Sequence, residues 1–365
     1  MPLDLDAARR WEPPASWRRV LVVDAHTGGE PFRVVVEGHP AIPGATMLAK
    51  RRWAEEHADA LRRLLVLEPR GHADMYGCFL TEPVSPGSDF GILFLHNAGF
   101  STMCGHGIIA ISTVVLETGM LARMPAGRTP AAGNGFAEQA LDLAIDLAID
   151  SPAGPVRARA ALEGGRVARV AFRNVPSFVV ELDAAIEVPA YGRVRYDLAF
   201  GGAFYAVVSA PSVGLQCTAE RFADIVAAGR EIKRAIVAGR AIEHPLAPDL
   251  GFLYGVVFVG PAADASHHSR NVCVFADGEV DRSPTGTGVS ARLAIHHARG
   301  DLLRGQAITV ESLLGSTFRG RVVAETSCGP YPAIVPEVEG SATICGRYEL
   351  LLDPADPFPR GFLLR

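Results

Sequence analysis

Two glycine-rich runs constrain this chain more than any other feature. The first is Met103-Cys104-Gly105-His106-Gly107; the second is Asp281-Arg282-Ser283-Pro284-Thr285-Gly286-Thr287-Gly288. Each sets one side chain of chemical interest just before small residues, and each leads into a stretch of helical character. After Cys104 come Ile108, Ile109, Ile111, Val114, Val115 and Leu116, apolar nearly all round. That is the pattern of a helix buried inside a domain rather than laid upon it. After Thr285 comes Val289-Ser290-Ala291-Arg292-Leu293-Ala294-Ile295-His296. A helix start offers unpaired backbone N–H groups and partial positive charge. Two such starts facing each other would hold a carboxylate between them. They would present Cys104 to one side of a ligand and Thr285 to the other.

The rest of the chain reads as strands arranged around these two helices. Arg18 to Asp24 is a strand, His26-Thr27-Gly28-Gly29-Glu30-Pro31 a tight turn, and Phe32 to Glu37 a second strand. Residues 46–67 predict an amphipathic helix and Phe90 to Leu95 a short strand. Residues 123–140, rich in Ala, Gly and Pro, predict a loop. Strands are expected over 141–150, 155–161, 166–173 and 176–182, spaced as an antiparallel meander. The theme then repeats, with strands over 194–199 and 203–209, a helix from Thr218 to about Gly239, and strands over 253–259 and 270–275. Further strands are expected within 307–324 and over 343–352. The fold class is therefore α/β (α+β), with two similar lobes and a site between them. The expected division is residues 1–188 for a lobe carrying Cys104 and 189–349 for a lobe carrying Asp281 and Thr285. Strands at about 350–365 are expected to return to the first lobe.

Composition narrows the function. A chain of 365 residues is too long for one ordinary core. Its 48% hydrophobic and 21% charged residues fit a soluble globular protein. A net charge of −5 argues against nucleic-acid partners and against an anionic membrane surface. No run approaches the roughly 18 apolar residues of a membrane span. Met1 to Asp6 carries neither the basic nor the apolar part of a secretion signal. The six cysteines (78, 104, 217, 273, 328 and 345) have no CxxC spacing. They are expected to be reduced, mostly buried thiols, and the location cytoplasmic.

Candidate cofactors fall away in turn. The two lysines, Lys50 and Lys233, lie in no glycine-rich or aromatic setting, which argues against Schiff-base chemistry. Gly286 to Ala291 fits GxGxxA, yet no acidic residue follows at the distance a dinucleotide ribose requires. His26, His72, His106 and Cys104 lack metal-ligand spacing, so neither metal nor cofactor is expected. A thiol at a helix start should form thiolate readily, its ordinary value of about 8.5 falling toward neutrality. There it would serve as a general base. The plainer alternative is a buried structural cysteine beside a glycine turn. The Thr285 hydroxyl is no acid or base near neutral pH. Asp281 reads either as part of a solvated turn or as a partner for a substrate ammonium, and Asp74 as turn-former or site residue.

At these residues the chain resembles the proline racemase family, from Asp24 to about Arg347. The motifs are Asp24-Ala25-His26-Thr27-Gly28-Gly29-Glu30-Pro31 together with the Cys104 and Thr285 runs. The resemblance implies paired lobes of the diaminopimelate-epimerase type, each a β-barrel-like sheet around a central helix, working without a cofactor. It implies catalytic residues on both faces of a substrate α-carbon. The first position matches Cys104. The second, a cysteine in proline racemases and hydroxyproline 2-epimerases, is Thr285 here, as in the trans-3-hydroxy-L-proline dehydratase branch. By the same carry-over, Gly105 with His106 and Gly286 with Thr287 bind the substrate carboxylate through backbone N–H groups, and Asp281 holds the ring nitrogen. The expected activity is dehydration of trans-3-hydroxy-L-proline to 1-pyrroline-2-carboxylate. A proline racemase or 4-hydroxyproline 2-epimerase is one alternative, and a non-catalytic prolyl-carboxylate binder another. The expected partner is a small hydroxylated proline, with neither nucleic acid nor membrane; a homodimer is the expected assembly.

Overall fold

A computed structural model describes residues 3–123 and 143–364. In chain order the first half contains α1 (Leu5–Arg10), β1 (Arg18–Thr27), β2 (Glu30–Glu37), α2 (Met47–His57) and α3 (Asp59–Val66). It continues with β3 (Tyr76–Thr81), β4 (Phe90–His96), β5 (Gly99–Ser101), α4 (Gly105–Glu117), β6 (Leu143–Ser151), β7 (Gly154–Glu163) and β8 (Arg166–Arg173). Next come β9 (Ser177–Val188), β10 (Gly192–Phe200), β11 (Phe204–Ser209), α5 (Phe222–Gly239), β12 (Leu253–Gly260) and β13 (Ser269–Phe275). The last elements are β14 (Glu279–Asp281), α6 (Gly286–Arg299), β15 (Ala307–Glu311), β16 (Thr317–Cys328), β17 (Tyr331–Gly340) and β18 (Ala342–Leu352). The loop expected over 123–140 lies, from 124 onward, outside the described residues.

Strand pairing closes the second half into an eight-stranded barrel. The ring runs β9, β10, β11, β12, β13, β15, β16, β17 and back to β9. In the first half β1, β2, β3, β4, β6, β7 and β8 pair in succession, with β8 on β17 and β1 on β18. Because β17 and β18 run on from one another, broken only at Ser341, one long strand serves both lobes. Each barrel is filled by a helix. Every residue of α4 from Gly105 to Leu116 is buried, and so is α6 from Gly286 to Ile295. The strands around them alternate inward and outward positions, as β7 and β16 do along most of their length.

Several boundaries differ from the sequence reading. β9 pairs with β10 and β17, so the chain crosses to the second barrel near Asn174, ahead of the expected division at 188. The return begins at Ala342, opposite Thr27, and not near residue 350. The helix expected over 46–67 is two helices meeting at Ala58, whose ψ of 3° leaves the helical range. Both pack their apolar sides on the outer face of the first barrel, against Val20, Val35, Phe79 and Leu93. β17 was not anticipated because Pro332 and Pro336 argue against a strand. The ladder accommodates Pro336 with a bulge in β16 between Val322 and Ala324.

Candidate active site

The two barrels touch where their central helices begin. A Cβ placed on Gly105 would lie 2.6 Å from the Cα of Gly286, and one on Gly286 would lie 2.8 Å from the Cα of Gly105. Only glycine at both positions allows this approach. The first intrahelical bonds run from Ile108 N to the Cys104 carbonyl (3.0 Å) and from Val289 N to the Thr285 carbonyl (2.7 Å). The N–H groups of Gly105, His106, Gly286 and Thr287 therefore have no carbonyl partner within their helices. Between these starts is a narrow cavity. All seven residues singled out in the sequence line it: Cys104, Gly105, His106, Asp281, Thr285, Gly286 and Thr287.

Cys104 occupies the N-cap of α4, where its Sγ accepts from Gly107 N at 3.2 Å. His106 Nδ1 lies 3.1 Å from the same sulfur. The expected drop of the thiol toward neutrality does not occur. Burial pushes Cys104 well above the ordinary thiol range, and the carboxylates of Asp281 and Glu30 push the same way. The Gly107 N–H and the Tyr76 hydroxyl oppose them without prevailing. One N–H bond at a helix start does not offset the loss of water plus two nearby negative charges. His106 is held neutral, lowered to about 3 by burial and then by the Arg282 charge. Its carbonyl accepts from Thr27 Oγ1 at 2.9 Å, which ties the β1–β2 turn to the helix start.

Asp281 is 5% exposed, so the solvated-turn alternative is discarded. Burial raises its carboxyl to about 6, against the opposing hydrogen bonds of Ser283. Its Oδ1 accepts from Ser283 N at 2.7 Å and its Oδ2 lies 3.9 Å from His106 Nδ1. Thr285 has φ 65° and ψ 91°, a conformation that a β-branched residue adopts only under constraint. Its Oγ1 is buried with no well-formed hydrogen bond among the described residues, although it helps to hold the Asp281 carboxyl down.

The wall behind Asp281 is held by residues the sequence reading did not assign. Glu30 is fully buried, and its Oε2 accepts from Arg282 N at 2.7 Å. Burial and the neighbouring Asp281 push this carboxyl well above its usual range, and its Oε1 has no hydrogen-bond partner among the described residues. Arg282 also donates to the Asp74 carbonyl (2.7 Å), while Asp74 Oδ1 accepts from Val280 N (3.3 Å). Asp74 is thus a tie between the lobes and does not line the cavity. Gly28, at φ 60°, offers its carbonyl to Ser316 Oγ at 2.8 Å, a further tie across the lobes. His72 is exposed and bonded to its neighbour's carbonyl.

Sequence reasoning also missed Tyr76, Met103, Tyr205, Tyr254, Cys273 and Phe275 in the cavity wall. One signal was available for two of them. Cys273 and Phe275 are two apart on β13, and Cys273 pairs directly with Asp281 across the ladder, so all three share a sheet face. Tyr205 donates to or accepts from Thr287 Oγ1 at 2.7 Å. The arrangement offers backbone N–H groups from two helix starts, the thiols of Cys104 and Cys273, one carboxyl and the buried Thr285 hydroxyl in a space walled by aromatic rings.

A family model described as proline racemase matches residues 22–363. A protein of Colwellia psychrerythraea named trans-3-hydroxy-L-proline dehydratase is 42% identical, over 98% of this chain and 96% of its own. A Burkholderia multivorans protein named 3-hydroxyproline 2-epimerase is 43% identical, over 95% of this chain and 99% of its own. Among solved structures, a hydroxyproline epimerase of Agrobacterium vitis with bound trans-4-hydroxy-L-proline superimposes with a TM-score of 0.86. It is 32% identical, covering 95% of this chain and 96% of that one.

Proposed function

The chain belongs to the proline racemase family, and from that footing we propose that it dehydrates trans-3-hydroxy-L-proline to 1-pyrroline-2-carboxylate and water. The observation that carries this reading is the unequal pair of helix starts, a thiol at Cys104 and a hydroxyl at Thr285. The substrate carboxylate binds to the N–H groups of Gly105, His106, Gly286 and Thr287, and its ring nitrogen to Asp281. Removing the α-proton moves negative charge into the carboxylate. Donors fixed at two helix starts stabilise that charge more than they stabilise the ground state.

Cys104 thiolate takes the α-proton. A racemase would next protonate the opposite face, and the Thr285 hydroxyl is far too weak an acid for that step. The 3-hydroxyl provides another outcome. Being trans to the carboxylate, it lies on the same ring face as the α-hydrogen. Cys104 returns the captured proton to the leaving oxygen as the C3–O bond breaks and a C2–C3 double bond forms. Water leaves, and the enamine tautomerises to 1-pyrroline-2-carboxylate. A 4-hydroxyl is not β to the carbanion and is retained.

One observation favours a second reading, epimerisation at the α-carbon. Cys273 places another thiol in the cavity wall, and a relative of equal similarity is named an epimerase. Proton NMR in D2O separates the two. We expect trans-3-hydroxy-L-proline to disappear with pyrroline carboxylate forming, while trans-4-hydroxy-L-proline and L-proline keep their configuration. Inversion at the α-carbon of any of the three would replace the dehydratase reading by the epimerase one. Cys104→Ser should lose at least a thousandfold in turnover; a rate near wild type would remove Cys104 from the mechanism.

A further inference from the structure

We propose that the hydroxyls of Ser101, Tyr76 and Tyr254 form a subsite that recognises the substrate's 3-hydroxyl and assists its departure; this rests on the dehydratase reading. Tyr76 opens β3 of the first lobe and Tyr254 belongs to β12 of the second. Their hydroxyl oxygens lie 3.0 Å apart, and the Tyr76 hydroxyl also bonds to Ser101 Oγ. The Tyr76 phenol and the Cys104 thiol line the same cavity, and the phenol favours the thiolate. The neighbouring wall is apolar, made by Met103 and by Phe275, whose ring stacks on Tyr254 at 5.3 Å.

Counting protons exposes a spare donor. Three hydroxyls carry one O–H each. The two contacts among them use two. The third can sit on Ser101, on Tyr76 toward the Cys104 sulfur, or on Tyr254 toward the cavity. Tyr254 has no other hydrogen bond among the described residues. Moving between these arrangements requires only hydroxyl rotation, with no movement of heavier atoms.

The direction follows the charge on sulfur. While Cys104 is a thiolate, the charged acceptor draws the donor from Tyr76. Once Cys104 has captured the α-proton, that attraction ends and the chain turns toward Tyr254. A donor then faces the 3-oxygen as its bond to carbon weakens. The α-proton still travels from Cα to Sγ to the leaving oxygen; the network lends a hydrogen bond and gains or loses no proton. The 3-hydroxyl and the α-hydrogen share a face, so the leaving oxygen lies on the Cys104 side of the ring, in a wall that includes Tyr76 and Tyr254. L-Proline would leave the spare donor buried and unpaired, which is how a site built for a hydroxyl rejects an analogue without one.

The test uses Tyr254→Phe, which keeps the ring stack on Phe275. Two rates are read: dehydration of trans-3-hydroxy-L-proline, and exchange of the α-hydrogen of L-proline in D2O, which needs Cys104 but no 3-hydroxyl. We expect kcat/KM for dehydration to fall at least tenfold further than the exchange rate. Equal falls in both would reduce Tyr254 to a wall residue and overturn the proposal. Ser101→Ala, which leaves one spare donor on the remaining pair, should lose less than Y254F; a larger loss counts against the proton count. Independently of any tyrosine variant, Cys104→Ala should bind trans-3-hydroxy-L-proline at least tenfold more tightly than L-proline by calorimetry, and equal affinities would overturn the subsite. A wild-type enzyme that neither exchanges nor dehydrates contradicts the dehydratase reading itself, a separate outcome.

Discussion

Gly105→Ala tests the idea that the site depends on two helix starts in contact. The new Cβ would lie 2.6 Å from Gly286 Cα, 3.0 Å from Gly286 C and 2.9 Å from Phe172 Cζ. Ordinary contact begins at 3.4 Å, so the starts must part by about 0.8 Å. Gly286 is backbone and has no rotamer in which to move aside. Alanine in a helix gains up to about 1 kcal/mol over glycine, while overpacking costs about 1–3 kcal/mol. The net effect on stability is therefore small, from neutral to a loss of about 2 kcal/mol. The effect on activity is larger, since a displacement of about 1 Å between carboxylate donors and base costs on the order of a hundredfold. Thermal melting and kcat/KM for pyrroline-carboxylate formation read the two separately. Gly99→Ala serves as the comparison, because a Cβ there meets nothing within 4 Å. A G105A enzyme within threefold of wild type would refute the view that abutting starts set the geometry.

Three further outcomes are expected. Asp281 titrates at about 6 when folded, against 3.8 when exposed, so its contribution to stability is complete below about pH 4 and is lost as pH rises through 6. Urea unfolding of wild type should thus gain about 1.4 kcal/mol between pH 7.5 and 5 relative to Asp281→Asn; identical pH slopes would remove the raised carboxyl. Glu30→Gln, keeping an acceptor for Arg282 N, should melt within a few degrees of wild type. Glu30→Ala, which strands that N–H and opens a void, should lose about 2–5 kcal/mol, and equal melting of the two would deny Glu30 its role in holding the Asp281 turn. Thr285→Cys supplies the missing thiol at a position already at positive φ, and inversion of L-proline at the α-carbon should become detectable by chiral chromatography; a folded variant with no inversion would show that the second face needs more than a thiol.

Much of the site could be read from the chain because it is built from local signals. Glycines beside a reactive side chain, followed by apolar residues, mark a buried helix start wherever they occur, and both such starts line the cavity. What could not be read is what arrives from far away. Tyr76 and Tyr254 meet across the lobes, and no local pattern distinguishes either from a core tyrosine. Glu30 sits in a recognised turn, but its partner Arg282 is 252 positions distant. The β17 half of the strand shared by both barrels was hidden because Pro332 and Pro336 weaken the local strand signal, while the ladder pairs Pro332 with Ser327 and absorbs Pro336 in a bulge. Electrostatics was the largest misjudgement. The helix start was visible in the sequence, whereas the burial and the two carboxylates that outweigh it depend on the packed lobes.

The raised thiol bears on how such a site can work. With its thiol raised by burial, Cys104 is held in the protonated form. Within the proposed chemistry, the substrate changes this balance itself. Its ring ammonium settles against Asp281 and cancels the nearest charge that opposes the thiolate. Its carboxylate, which would oppose the thiolate again, is met by the N–H groups and partial positive charge of two helix starts. The same contacts that orient the α-hydrogen toward Sγ therefore make the sulfur basic, and only while the substrate is present. A buried base switched on by its own substrate need not be kept ionised in a cavity walled by Tyr76, Tyr254 and Phe275. In the proposed mechanism, this is why Asp281 can stand so near the residue that becomes an anion.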